Sequence, residues 1–253
     1  MVNAWLLLPG VGMMLIGIIP AIWWWRTKKV PVKYFAFGAI LWIIAIAPKV
    51  LMDLTITPSL RDYTLAYGTE VFVIVTGIYV GLRTGLFESG FTYIAGLKTK
   101  LKNVNFNQAM AFGLGFGGFE AFILGFLSFI SIAIFLAIPS LLEQLSAEQL
   151  QQLNQSTWII FAPIMERGFT ILIHIFAALL VFYAIRTAQK RYLWYSIGYK
   201  TIVDGIIPAL TTYIGSQTLT GVYTMELPFI GLGVIAAGGI LWIKRIWRDK
   251  NHA

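Results

Sequence analysis

The sequence contains no cysteine and only two histidines among its 253 residues. The absence of cysteine excludes a disulfide framework, a thiol nucleophile and a thiolate metal site. Charged residues are also scarce, at 12%, whereas apolar residues make up 58%. Because the surface of a soluble domain needs far more polar residues, this composition predicts an all-α protein embedded in a membrane.

Long apolar segments fill most of the chain, and each is long enough to cross a bilayer core of about 30 Å as a helix. The loops are too short for a soluble domain, and the largest polar insertion, Leu141–Thr157, is predicted to form a short surface helix. We therefore expect one heptahelical membrane domain over residues 1–253. Its seven predicted spans lie at about residues 4–25, 33–57, 67–94, 106–138, 158–184, 192–213 and 223–243.

The basic residues predict the orientation, because cytoplasmic loops retain lysine and arginine. The N-terminus is predicted outside and the C-terminus in the cytoplasm. The net charge of +8 reflects this asymmetry and an attraction to anionic lipid, so nucleic acid is not expected as a partner. Four basic clusters fall at alternate ends of successive spans, and hence on one side: Arg26/Lys28/Lys29/Lys33, Lys98/Lys100/Lys102, Arg186/Lys190/Arg191 and Lys244/Arg245/Arg248/Lys250.

Ionisable side chains inside the spans are the best guide to function, because each costs about 2.5–3.5 kcal/mol at the bilayer centre on insertion scales. They must therefore be paired or hydrated. The set comprises Lys49, Asp53, Glu70, Arg83, Glu88, Glu120, Glu166, Arg167, Lys200 and Asp204, with His174 as the histidine inside the membrane.

Helical spacing predicts partners for some of these side chains. Lys49 and Asp53 are four residues apart on one helix face, and so are Lys200 and Asp204. Both are candidate ion pairs, and a purely structural role would account for them.

A second face involves the fourth and fifth spans. Arg167 and His174 are seven residues apart and nearly in register, so one face carries a cation and an imidazole. Glu120 lies near the middle of the fourth span, where Gly113 and Gly117 on the same face allow another helix to approach closely. The Glu120 carboxyl is expected inside the bundle, where either helix packing or chemistry would explain it.

Familiar catalytic motifs are missing. The sequence has no HExxH, and a zinc site needs three or four ligands, so His174 alone does not define one. The glycine-rich stretch AFGLGFGGFEA lacks the Gly-Lys-Ser/Thr ending of a nucleotide-binding loop. The residues by themselves leave the chemistry open.

Taken together, these segments resemble the YhfC-type intramembrane proteases, distant relatives of the CAAX-processing and PrsW-like glutamate-dependent proteases. The resemblance covers most of the chain. It implies a water-filled intramembrane cavity in which a carboxylate activates water for peptide-bond cleavage, while histidines and an arginine polarise the substrate carbonyl. The matching segments are GLFESGF around Glu88, AFGLGFGGFEAFILG around Glu120, MERGFTILIH from Glu166 to His174 and YKTIVDG with Asp204.

This sequence departs from the family pattern at four positions. Ser89 and Thr92 stand where the first motif has its second glutamate and an arginine, and Phe116 and Lys200 stand where later motifs carry histidines. A phenylalanine cannot ligate a metal, and an ammonium near Asp204 would neutralise that carboxylate. The metalloprotease form of the chemistry is therefore not expected.

The resemblance leaves two possibilities for the catalytic set Glu88, Glu120, Glu166, Arg167, His174 and Asp204. One is a divergent protease with Glu88 or Glu120 as its base. The other, which we favour, is a pseudoprotease of the bacterial cytoplasmic membrane that needs no cofactor and binds a transmembrane or membrane-anchored polypeptide. From another class, a proton- or cation-coupled transporter would also use carboxylates near the midplane.

Overall fold

The computed structural model describes residues 3–153 and 156–249, and throughout these residues the chain is helical without strands. Lys250 of the last basic cluster lies outside the described residues. A 3-10 turn at Ala4–Leu6 precedes the first α-helix, and three more lie between helices, at Lys100–Asn103, Pro139–Gln144 and Thr157–Ile160. The α-helices are α1 (Leu7–Lys28), α2 (Lys33–Thr55), α3 (Thr57–Leu65), α4 (Thr69–Thr84), α5 (Gly90–Lys98), α6 (Phe106–Ala137), α7 (Ala147–Leu153), α8 (Phe161–Thr187), α9 (Arg191–Gly205), α10 (Ile207–Tyr213) and α11 (Leu219–Asp249).

Six helical segments of the described chain are long and apolar enough to cross a membrane. They agree with six of the predicted spans, so an all-α membrane protein is confirmed. The segments are Ala4–Lys28, Lys33–Thr55, Thr69–Lys98, Phe106–Ala137, Thr157–Thr187 and Leu219–Arg248.

The remaining predicted span, 192–213, is divided into α9, of 15 residues, and α10, of 7 residues. The break precedes Pro208, whose ring nitrogen has no hydrogen to donate to the carbonyl of Asp204. Each half is shorter than the approximately 20 residues that a bilayer requires. Seven crossings and the orientation of the termini therefore stay predictions.

Helix α8 lies at the centre of the bundle. In its most apolar 18-residue window, 83% of the residues are buried, against at most 28% in the other five membrane-length helices. It packs against α1, α5, α6, α9 and α11. Polar groups on α8 therefore face other helices rather than lipid, which places His174 in the interior at 4% exposure.

Two helix contacts set the distances around this centre. On α6, a Cβ at Gly117 would lie 2.9 Å from the Cβ of His174, so the predicted close approach at this glycine is confirmed. On α4 and the π turn Gly85–Ser89, glycines recur every four residues and lie against carbonyl groups of α9. Gly77, Gly81 and Gly85 face Gly205, Thr201 and Ile197 respectively.

The contact between α4 and α9 predicts a specific sensitivity to added methyl groups. Gly81→Ala places a Cβ against the Thr201 carbonyl, so the helices must separate at a cost of about 1–3 kcal/mol. We expect a lower midpoint of thermal unfolding in detergent.

Gly90→Ala is the matched control on the same span, because a Cβ there meets no atom within 4 Å. It should leave the midpoint unchanged or raise it slightly, since alanine favours helix. Equal effects of the two substitutions would contradict this packing.

Candidate functional site

Glu88 is the centre of a buried charge cluster. It lies in the π turn Gly85–Ser89 between α4 and α5, a widened helical turn of the kind often found at functional sites. The hydroxyl of Thr92 donates a hydrogen bond of 2.6 Å to the Glu88 carbonyl. This bond gives the backbone of the widened turn an additional hydrogen-bond partner.

Two ammonium groups hold the Glu88 carboxylate. Lys49 Nζ on α2 lies 2.6 Å from Oε1, and Lys200 Nζ on α9 lies 2.7 Å from Oε2. Lys49 also donates a hydrogen bond to Oε1. Lys200 is close enough to Oε2 for an ion pair, but its angle to this oxygen is not that of a hydrogen bond. All three side chains are buried, with at most 8% of each residue exposed. Each oxygen of Glu88 therefore has a fixed cation as its neighbour.

Glu120 on α6 is the second carboxylate of the cluster. Arg167 Nη1 lies 2.8 Å from Oε1 and His174 Nε2 lies 2.9 Å from Oε2. The predicted common face of Arg167 and His174 is thus confirmed, since both reach one carboxylate. Trp42 Nε1 also donates to Oε2, at 2.9 Å.

His174 links the two carboxylates. Its Nε2 contacts Glu120, while its Nδ1 lies 3.3 Å from Lys200 Nζ and 3.7 Å from Glu88 Oε2. The Nε2–H group can donate to the Glu120 carboxylate, and Nδ1 faces the positive charge of Lys200. In this arrangement the imidazole has no free nitrogen.

The predicted ion pairs within helices are wrong. Lys49 pairs with Glu88, whereas Asp53 Oδ1 lies 2.7 Å from Arg83 Nη1. Lys200 also turns to Glu88 rather than to Asp204. Both lysines pair with Glu88 because this carboxylate is buried, and a buried charge without a partner is costly. The carboxylate four residues along the same helix is less buried in each case, so it gains less from a cation.

Glu166 and Asp204 lie at the edge of the cluster. Glu166 pairs with Arg167, which thereby bridges Glu166 and Glu120. Asp204 Oδ2 accepts a hydrogen bond of 2.6 Å from the hydroxyl of Thr84. Neither carboxylate contacts Glu88 directly.

A cavity of about 190 Å³ adjoins the cluster. This is well above the roughly 10–15 Å³ that a single water molecule requires, so the cavity can hold several. Trp42, Lys49, Thr170 and Lys200 contribute to its wall. So do all six residues of the sequence-based set: Glu88, Glu120, Glu166, Arg167, His174 and Asp204.

The sequence-based set missed four side chains. Trp42 was passed over because an indole on an apolar helix shows no distinguishing pattern, and Lys49 and Lys200 were each assigned to a carboxylate on their own helix. Glu226 on α11 is buried, with 9% exposed, and its Oε2 has no hydrogen-bond partner among the described residues. As the lone acid within the apolar stretch 223–243, Glu226 could have been found from sequence.

The four positions that were predicted to depart from the family pattern lie around one point. Ser89, Thr92, Phe116 and Lys200 all line a void of about 20 Å³ beside Glu88 and His174, large enough for about one water molecule. The Ser89 hydroxyl is 2.8 Å from that of Ser196, and the Phe116 ring is 5.0 Å from the His174 ring. These four residues therefore share one local environment, beside Glu88 and His174.

The comparisons with known proteins identify the class. The sequence model described as YhfC intramembrane metalloprotease matches residues 12–225. The chain therefore belongs to the YhfC family of membrane proteins. It is also 28% identical to the uncharacterized membrane protein YhfC of Bacillus subtilis (strain 168), over 92% of this chain and 91% of the relative.

The family description implies a metal ion, and the donor atoms present here do not fit one. Within residues 3–153 and 156–249, no three His, Asp or Glu side chains form a group that could hold a metal. Glu88 and His174 supply two donors, but the ammonium of Lys200 stands between them. A divalent cation would have to displace that ammonium and would be repelled by Lys49 as well.

Removing the Glu88 charge should destabilise the protein strongly. Glu88→Gln leaves the ammonium groups of Lys49 and Lys200 buried without their shared anion, at a cost of about 3–5 kcal/mol. Adding Lys200→Met should recover part of this loss, because one of the two unpaired cations is then gone. Equilibrium unfolding in mixed detergent measures both changes.

Glu143→Gln is the control for that experiment, because Glu143 is exposed and its loss should change stability by no more than about 0.5 kcal/mol. If Glu88→Gln lowered the free energy of unfolding no more than Glu143→Gln, the ion pairs of Glu88 would not contribute to stability.

Reintroducing histidines should create a metal site. In Phe116→His/Lys200→His, two new imidazoles face His174 and the freed Oε2 of Glu88, which suits tetrahedral zinc. We expect Zn²⁺ to raise the thermal midpoint of this double variant, and a chelator to reverse the rise.

Each single substitution supplies one imidazole fewer and should respond more weakly. The wild-type protein should show no reversible rise. A rise in wild type equal to that of the double variant would contradict the account of the donor atoms.

Proposed function

We propose that this protein is a pseudoprotease of the YhfC family, which retains the fold and the polar cavity but does not hydrolyse peptide bonds. It binds a transmembrane or membrane-anchored polypeptide instead. The observation that carries this proposal is the position of Glu88 between the ammonium groups of Lys49 and Lys200.

A carboxylate acts as a general base only when one of its oxygens can reach the proton of a bound water. Both oxygens of Glu88 contact ammonium groups, at 2.6 and 2.7 Å. A nucleophilic water would have to replace one of these contacts and leave a buried lysine without its anion. The cost of that step, about 3–5 kcal/mol when one partner of a buried pair is removed, opposes hydrolysis.

Glu120 is no better placed as a base. Its Oε1 is held by Arg167, and its Oε2 accepts hydrogen from both His174 and Trp42. The arginine that would polarise a substrate carbonyl is itself shared between Glu120 and Glu166. The groups that the family chemistry requires are thus engaged with one another.

The cavity supports the binding role. It presents fixed charges of both signs beside Phe229 and Leu124 in a bundle whose outer surface is apolar. A transmembrane segment with a polar side chain would gain hydrogen bonds there that lipid cannot offer. We place the protein in the bacterial cytoplasmic membrane, consistent with its relative from Bacillus subtilis.

A proton- or cation-coupled transporter is the second candidate, favoured by the carboxylates that line the cavity. A transporter also needs a path to the opposite side. Towards the basic ends of the helices, large side chains such as Phe112, Leu179 and Phe182 fill the interior with 2% exposure or less. This packing favours the binding role over transport.

The deciding assay reconstitutes the wild-type protein in proteoliposomes with a defined panel of labelled transmembrane peptides. Energy transfer reports binding, and mass spectrometry reports new peptide ends. We expect saturable binding of at least one peptide without cleavage, because the oxygens of Glu88 and Glu120 are held by cations and hydrogen-bond donors. Cleavage that is lost in Glu88→Gln or Glu120→Gln would overturn the proposal.

A further inference from the structure

A second pocket lies at the basic end of the bundle, away from the charge cluster. It has a volume of about 320 Å³ and opens between the start of α6 and the last turns of α8 and α11. Its walls include Arg186, Lys244 and Arg248, the amides of Asn105 and Asn107, and the indole of Trp247.

Among the described residues that line this pocket, the charged side chains are all basic. Two guanidinium groups and one ammonium line it, and the described lining contains no carboxylate. Arg186 and Arg248 lie in the last turns of α8 and α11, where the helix dipoles favour cations, and they face the positive N-terminus of α6. An anion that enters the pocket therefore meets Lys244 and Arg248 beside the first backbone N–H groups of α6.

The start of α6 also supplies hydrogen-bond donors. The Asn105 side chain accepts from the backbone N–H of Gln108, at 3.0 Å, and the Gln108 side chain accepts from the backbone N–H of Asn105, at 2.9 Å. The amide hydrogens of Phe106 and Asn107 belong to the first turn, which has no partners within the helix. Backbone N–H groups at a helix N-terminus bind phosphate well, and arginine adds paired donors.

The floor of the pocket is rigid and apolar. Trp247 is 2% exposed, and its ring packs 5.8 Å from that of Phe106 and 5.7 Å from that of Tyr183. The guanidinium of Arg186 lies over the same ring, 5.5 Å from its centroid. These ring contacts hold Arg186 beside the ends of α6, α8 and α11.

We propose that this pocket binds a phosphate group, and that an anionic phospholipid supplies it. The pocket lies where α6 begins and α8 and α11 end, which is the level of lipid headgroups when these helices span a bilayer. Basic pockets between transmembrane helices at this level hold anionic headgroups. The site is separate from the Glu88 cluster and does not depend on the proposed function.

The test uses the full-length protein, stripped of lipid in a neutral detergent. Phosphatidylglycerol, phosphatidylcholine and inorganic phosphate are added separately, and native mass spectrometry with thermal unfolding measures binding. Phosphatidylglycerol should bind and raise the midpoint, and Lys244→Gln/Arg248→Gln should weaken its affinity about tenfold or more. Phosphatidylcholine should bind weakly, since it has no net charge.

Lys28→Gln/Lys33→Gln is the matched control, because it removes the same charge from exposed residues of another basic cluster. Its affinity for phosphatidylglycerol should stay within about twofold of wild type. Equal losses in the two double variants would mean a diffuse surface attraction and overturn the site. Full stabilisation by inorganic phosphate alone would overturn the assignment to lipid.

Discussion

The ion pairs of Glu88 with Lys49 and Lys200 are the constraint on which the rest of the site depends. They join α2, the π turn and α9. The hydrogen bond between Ser89 and Ser196 is a further polar contact between the π turn and α9. Because each charge is buried, none can be removed without leaving another unpaired. The glycines of α4 allow α9 to come close enough for Lys200 to reach the carboxylate.

Opposite charges alternate in the larger cluster. Glu88, Glu120 and Glu166 face Lys49, Arg167 and Lys200, and His174 lies between the two halves. Such pairing lets these six charges remain inside an apolar bundle at a tolerable cost, since each is solvated by its neighbours. The same ion pairs occupy the carboxylate oxygens of Glu88 and Glu120, which is the basis of the proposed pseudoprotease role.

The sequence predicted much of this arrangement, for identifiable reasons. Membrane-length helices follow from apolar runs, and the approach of α6 to α8 follows from Gly117 and the shared face of Arg167 and His174. The break before Pro208 and the π turn at Glu88 were missed, because apolar composition is insensitive to both. The partners of Lys49 and Lys200 were predicted wrongly, because spacing along one helix carries no information on contacts between helices.

Lys200 occupies the place beside Glu88 and His174 that a metal would need. A crystal structure determined in a lipidic phase after incubation with excess Zn²⁺, with anomalous scattering to locate zinc, tests this directly. We expect Lys200 Nζ to stay within ion-pair distance of Glu88 Oε2, with no zinc beside it. Zinc bound to Glu88 and His174, with the Lys200 side chain turned away, would contradict it.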